Sequence, residues 1–281
     1  MELSEQWFLL FGTMAYMLAL ALTLVRLSRR RSPLHGFNLA VILSGWLLQS
    51  VGLWILGMDA GSCPIRNPFE VLQFVSWSIV ILYLFTGQVF RLSLFGAGSA
   101  SLAAIISITA YLIPGANKVS PTSFIGGDPR IDAHAALALF SYGIFGLLAV
   151  LSVLYVLQNN SLKSKKNAGI FRFLPAIVDM DTVLMRLLIT ACIVYTISVS
   201  IGAQYWREHM DEVALPKLIT TVALLIAYWL VLLLRATNKL FGTRLAWSCI
   251  GLLIAALIIL WPVEASRDYG KDETITSQSQ P

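Results

Sequence analysis

Long runs of apolar residues, broken by short polar segments, repeat along nearly the whole chain, and the spacing predicts helices over 7–27, 37–57, 69–90, 93–113, 134–157, 183–204, 218–235 and 245–262. A bilayer core is crossed by about 20 apolar residues of α-helix, and each run meets or approaches that length. The fold class expected is all-α: a polytopic membrane bundle of eight transmembrane helices over residues 1–265, followed by a polar, disordered tail at 266–281. Composition agrees. With 57% hydrophobic and 12% charged residues and a mean hydropathy of +0.76, the chain has too little polar surface to coat a soluble globule.

Charge gives the expected orientation. Arg26, Arg29, Arg30, Arg31, Arg91, Lys163, Lys165, Lys166, Arg172, Lys239 and Arg244 gather in the odd-numbered breaks, whereas Asp59, Asp128, Asp132, Glu208, Asp211 and Glu212 occupy the even ones. Basic breaks face the cytoplasm, so a plasma (inner) membrane protein with both termini on the extracytoplasmic side is expected. The first run lacks a basic start and a small-residue cleavage pattern, so it reads as a retained helix rather than a signal peptide. The net charge of +5 and pI near 9.2 come from cationic residues at helix ends, where topology and anionic lipid account for them; a nucleic-acid partner is rejected and the lipid bilayer is the partner expected.

Two breaks are long. Residues 159–182 read as a basic turn followed by an interfacial segment, and 114–133, rich in Pro and Gly, as irregular chain. Cys63, Cys192 and Cys249 form no C-x-x-C pair and read as small packing residues. Helix 4 opens S-L-F-G-A-G-S-A-S, a small-residue surface suited to close packing. Arg186 and Arg235 sit at helix ends, where they can snorkel to headgroups. No Walker loop, zincin motif, nucleophile elbow or chain of buried acids occurs.

An ionisable group in hydrocarbon costs about 2.5–3.5 kcal/mol on insertion scales, so polar positions within the runs mark candidate chemistry. Glu70, Gln73 and Trp77 recur at helical spacing and are expected on an inward face, while His134, Ser141 and Tyr142 share a stripe of helix 5. Two readings stay open at this point. Glu70 could accept the Nδ1 hydrogen of His134 and leave Nε2 for a metal or haem iron, or both could be ordinary residues of wet helix ends. Near the end of helix 6, Trp206 could offer a flat surface to a macrocycle, Arg207 could meet its carboxylates and His209 could serve as axial ligand; the alternative is an interfacial aromatic belt. His35 reads as a solvated loop residue.

Three segments carry a resemblance. G-S-C-P-I-R-N-P-F-E-V-L-Q-F-V-S-W (61–77), H-A-A-L-A-L-F-S-Y-G (134–143) with its later basic turn, and the order D-M-D-T-V-L-M-R, S-I-G-A-Q-Y-W and F-G-T-R-L-A-W together span about residues 60–250. They resemble the cytochrome c assembly family, the polytopic group of CcsA-type synthase subunits, HemX proteins and YpjD-type membrane proteins. The resemblance implies haem handling on the outer side, with His134 as a haem-ligating histidine; Glu70, Trp77 and Tyr142 would shape the site, and Arg207 or Arg130 would lie near the propionates. Its partners would be haem, other cytochrome c assembly membrane proteins or apocytochrome c.

Departures point to the HemX/YpjD branch. The tryptophan-rich W-x-W-D loop of synthases is reduced to Trp206 and Lys217, and Asp211 does not align with its aspartate. Arg267, Ser62 and Leu233 stand where the resemblance to synthases implies histidines. Enzymatic activity stays open, and an assembly or haem-delivery factor is preferred to a full synthase. The leading expectation is a membrane factor that holds or presents haem at the outer face; the alternative is a cofactor-free scaffold or regulator of haem-pathway proteins, with a small-solute transporter third.

Overall fold

A computed structural model describes residues 4–29, 35–90, 93–118, 128–164, 176–208 and 215–258, without the side chains of 4, 87–90, 93, 216 and 217. The helices are α1 (Ser4–Ser28), α2 (His35–Ala60), α3 (Pro68–Phe90), α4 (Ser93–Leu112), α5 (Pro129–Lys163), α6 (Ile177–Glu208), α7 (Leu215–Ala236) and α8 (Gly242–Ile258). The first seven are long and apolar enough to cross a membrane. Among the described residues there is no strand, and the expected all-α bundle is what the chain forms.

Successive helices alternate in direction, as contacts at both ends require. At one end the Tyr111 hydroxyl of α4 donates to the Gln6 carbonyl of α1, and the Phe69 amide of α3 donates to Ala116 just past α4. At the other, Asn159 of α5 donates to Thr243 of α8, and Arg235 of α7 pairs with Asp181 of α6. The two ends are called here the His134 end and the Lys163 end.

α5 and α6 extend furthest past their expected bounds. α5 starts at Pro129 rather than 134 because Asp128, in extended conformation, caps it: its carboxylate accepts the Arg130 amide at 2.7 Å, and Pro129 fills the first helical position, where no amide is needed. It also runs on to Lys163, and α6 starts at Ile177, so both margins of the expected 159–182 break are helical. Likewise residues 129–133, expected to be irregular, are helix; hydropathy alone undercuts ends whose charges are capped and paired. Residues 119–127 and 165–175, and the tail at 266–281, lie outside the described residues. At 35 residues α5 is about 50 Å long, well beyond a core of about 30 Å, so it extends past the hydrocarbon.

Small residues set the helix spacing. A Cβ on Gly12 would come within 2.9 Å of the Gly45 carbonyl, and one on Gly45 within 2.8 Å of Tyr16, so α1 and α2 meet backbone to backbone. Gly96 in the small-residue surface of α4 lies against the Tyr83 ring, and Gly143 brings α5 against Ser78 of α3. α8 packs through Leu245, Cys249, Leu252 and Ala256, a single buried stripe.

The α1–α4 half encloses a polar network away from water. Tyr16 donates to Gln49 at 2.8 Å; Gln49 Nε2 donates to the Gln73 side chain at 2.9 Å; Ser107, itself bonded to Thr13, donates to the same Gln73 oxygen at 2.9 Å. Gln49, Gln73 and Ser107 are wholly buried. Two residues of α1 and one from each of α2, α3 and α4 thus form a continuous chain of donors and acceptors. Replacing Gln73 by Leu strips partners from Gln49 and Ser107, and a loss of about 1–3 kcal/mol is expected in reversible detergent unfolding. In a cycle with Gln49→Leu the two substitutions should couple by about 0.6–2 kcal/mol; strict additivity would contradict the network.

Between α2 and α3, half-buried Cys63 lies near two carboxylates. Burial first, then Asp132 and Glu70, push its thiol up to about 11. Since the neutral thiol is favoured, only about 1 in 1,000 molecules carries the thiolate at pH 8. Alkylation of Cys63 should be roughly 100-fold slower there than for a free thiol and should quicken about tenfold per pH unit up to about pH 11. Asp132→Asn should raise the rate at pH 8, and a plateau below pH 9 in rate-versus-pH labelling would contradict the assignment.

Candidate functional site

His134 lies in the second turn of α5, directed at α6. The spacing Ser198, Gly202, Trp206 places three residues on one stripe of α6, one turn apart, and all three meet the imidazole. Nδ1 is 2.7 Å from the Ser198 carbonyl oxygen. A carbonyl only accepts, so Nδ1 carries the hydrogen and, in the neutral ring, Nε2 carries the lone pair. Ser198 also donates its hydroxyl to the His134 carbonyl at 2.8 Å, tying the two backbones reciprocally. The Trp206 ring stands edge to face with the imidazole, centroids 5.4 Å apart at 78°.

Gly202 makes the approach possible. A Cβ there would fall 2.7 Å from His134 Nδ1 and 2.8 Å from Cε1, so any side chain would drive the ring from its place. Above the imidazole, Arg130 clasps the two helices: it bonds Asp128 at 2.9 Å on its own helix, Glu208 at 2.9 Å on α6, and lies 5.8 Å over the Tyr205 ring.

The other expected site residues are distributed differently. Glu70 does not orient His134. Its carboxylate accepts from the Arg66 amide at 2.7 Å, from Arg66 Nη2 at 3.0 Å and from Asn67 Nδ2 at 3.0 Å, while its own amide donates to Asn67 Oδ1 at 2.8 Å. With Pro68 at the first position, N-P-F-E is a reciprocal cap that starts α3. Trp77 lies between α2 and α3, donating to Ser50 at 2.7 Å and stacking with Trp46 at 5.9 Å. Tyr142 faces α8, with its hydroxyl 3.4 Å from the Ala256 carbonyl. Ser141 is buried and bonds the Leu137 carbonyl one turn back. Trp206 is 8% exposed, closed in the α5–α6 seam by His134, and Arg207 beside it is exposed. His209, Asp211 and Arg267 lie outside the described residues, as does the side chain of Lys217; Leu233 is 58% exposed on α7.

The structure therefore brings together His134, Trp206 and Arg130 and separates them from Glu70, Trp77 and Tyr142. Ser198 and Gly202 were missed in the sequence reading, although their four-residue spacing ahead of Trp206 is visible once α6 is extended. Among the described residues no group of three His, Cys, Asp or Glu side chains could hold a bare metal ion. What the site can offer is one oriented imidazole with an aromatic neighbour and a nearby cation.

Comparison with known proteins bears on this arrangement. The family described as Cytochrome C assembly protein matches residues 65–263. Protein HemX of Brevibacillus brevis is 26% identical over 185 residues, covering 66% of this chain and 67% of the relative. Protein HemX of Bacillus subtilis (strain 168) is 25% identical over 213 residues, covering 70% and 72%. Cytochrome c biogenesis protein CcsA of Cyanidium caldarium is 34% identical over 123 residues, 42% of this chain and 40% of that protein's length. With more than half of its length matched, including the His134 helix and the α6 stripe that receives it, this multi-pass membrane protein belongs to the cytochrome c assembly family, on its HemX-like side, and membership supports a role in cytochrome c biogenesis.

Proposed function

We propose that the protein holds haem at the His134 end of the bundle, on the extracytoplasmic side, and presents it to partners in cytochrome c biogenesis. The observation that carries this reading is the His134–Ser198 pair. Haem iron accepts an imidazole nitrogen as axial ligand. A ligating histidine ordinarily donates its other ring N–H to a carbonyl or carboxylate, which sets the tautomer and holds the ring. Here the Ser198 carbonyl has that relation to Nδ1, and Nε2 is the nitrogen suited to iron. The residues present thus fit an axial ligand, with Arg130 and Arg207 at the same end as candidate contacts for propionates. His209, two residues past Arg207 in sequence and outside the described residues, is the candidate second ligand.

The cofactor-free scaffold remains the second reading, favoured by one specific finding: Gln73 and Trp77 are engaged in contacts that hold helices together, and Glu70 in the cap of α3.

Protein purified from haem-supplemented cells should show a Soret band, and His134→Ala should lose it. Gly202→Val, which displaces the ring without touching its donor atoms, should weaken haem retention by about tenfold or more. Ser198→Ala keeps the carbonyl and should retain haem. A colourless wild type that also fails to take up added haem would overturn the proposal, while a Soret band that persists in folded His134→Ala would remove His134 as the ligand.

A further inference from the structure

At the Lys163 end, α5 ends beside the turn between α7 and α8. Lys163, Lys239, Phe241, Thr243 and Arg244 line an open cleft there of about 410 Å³. Three cations share it, and among the described residues none of the three has an ion-pair partner; the nearby Asp181 is taken by Arg235. Ordinary positive-inside bias explains cations in a break, but not their gathering around one cleft.

The uncharged walls suit an anion as well. Thr243 accepts a hydrogen bond from Asn159 Nδ2 at 3.0 Å, so the hydroxyl's own hydrogen is left to donate. Phe241, 49% exposed, gives the cleft an apolar side and is backed by the Arg235 guanidinium 5.1 Å from its ring. Gly242, at φ +56, turns the chain into α8 so that Thr243 and Arg244 reach the cleft in the helix's first turn, where backbone polarity adds to the positive field.

We propose that this cleft binds a phosphate-bearing anion, held by Lys163, Lys239 and Arg244 with Thr243 as a directed donor. At the ends of α5 and α7 and the start of α8 the cleft would lie near lipid phosphates, and Phe241 beside the cations matches an anionic headgroup with its chains, though a free phosphate shares the same recognition chemistry. The inference is independent of haem binding at the opposite end.

The test uses the full-length protein in nanodiscs of mixed phosphatidylcholine and phosphatidylglycerol, with lipid retention read by native mass spectrometry, and a parallel titration of inorganic phosphate in detergent followed by thermal shift. Preferential retention of phosphatidylglycerol is expected, falling about tenfold or more in Lys239→Gln/Arg244→Gln. A phosphate-induced shift that the same variant abolishes would identify free phosphate as the source instead. If the double variant loses its monodisperse profile, Thr243→Val serves, with a smaller loss expected. Equal retention of both lipids together with no phosphate response, or retention unchanged in the folded variants, would overturn the proposal.

Discussion

A polar group carried into hydrocarbon has only the protein to bond with, and that constraint organises this molecule. It accounts for polar side chains that bond one another between helices: Tyr16, Gln49, Gln73 and Ser107 across the first four helices, Ser198 with His134 in the seam of α5 and α6, and Arg235 with Asp181 near the other end. Each set ties helices that apolar side chains alone would leave free to slide, because lipid chains compete equally well for leucine. Glycines then decide how near the helices come, and so whether the bonds can form at all.

The two halves of the bundle use this constraint differently. In α1–α4 the amides of Gln49 and Gln73 spend their hydrogen-bonding capacity on one another and on neighbouring helices, and Trp77 and Glu70 are similarly committed. In α5–α6 the histidine is anchored through one ring nitrogen to a backbone carbonyl, an arrangement that orients the other nitrogen. The polar residues of the first half thus bond mainly across helices, whereas the histidine of the second is held by one backbone carbonyl. α7 contributes little burial of its own and joins mainly through α6, which places the Lys163-end cleft at a margin of the bundle.

The position of Glu70 shows how a motif can mislead. On a helical wheel it shares the inward face with Gln73 and Trp77, and it lies at the same end of the bundle as His134. Yet Asn67 and Pro68 just before it make it a helix-capping residue, and Arg66 neutralises it. The local cap uses residues within one turn, which cost little entropy to gather, and it leaves neither carboxylate oxygen for a partner on another helix.

Apolar run length and the alternation of charge were enough to establish the all-helical membrane class, the order of the helices and the inward face of α3, because lipid imposes those patterns on any chain that crosses it. The motifs of the 61–77 and 134–143 segments, with the order of the C-terminal ones, likewise carried the resemblance to the family. Tertiary structure alone decided which polar residues meet. That His134 turns to Ser198 and Gly202, that Glu70 closes on Arg66 and Asn67, and that Lys163 shares a cleft with Lys239 and Arg244 depend on helix rotation and crossing. These follow from the fit of glycines against facing side chains many residues away, and no periodicity along one helix records that fit.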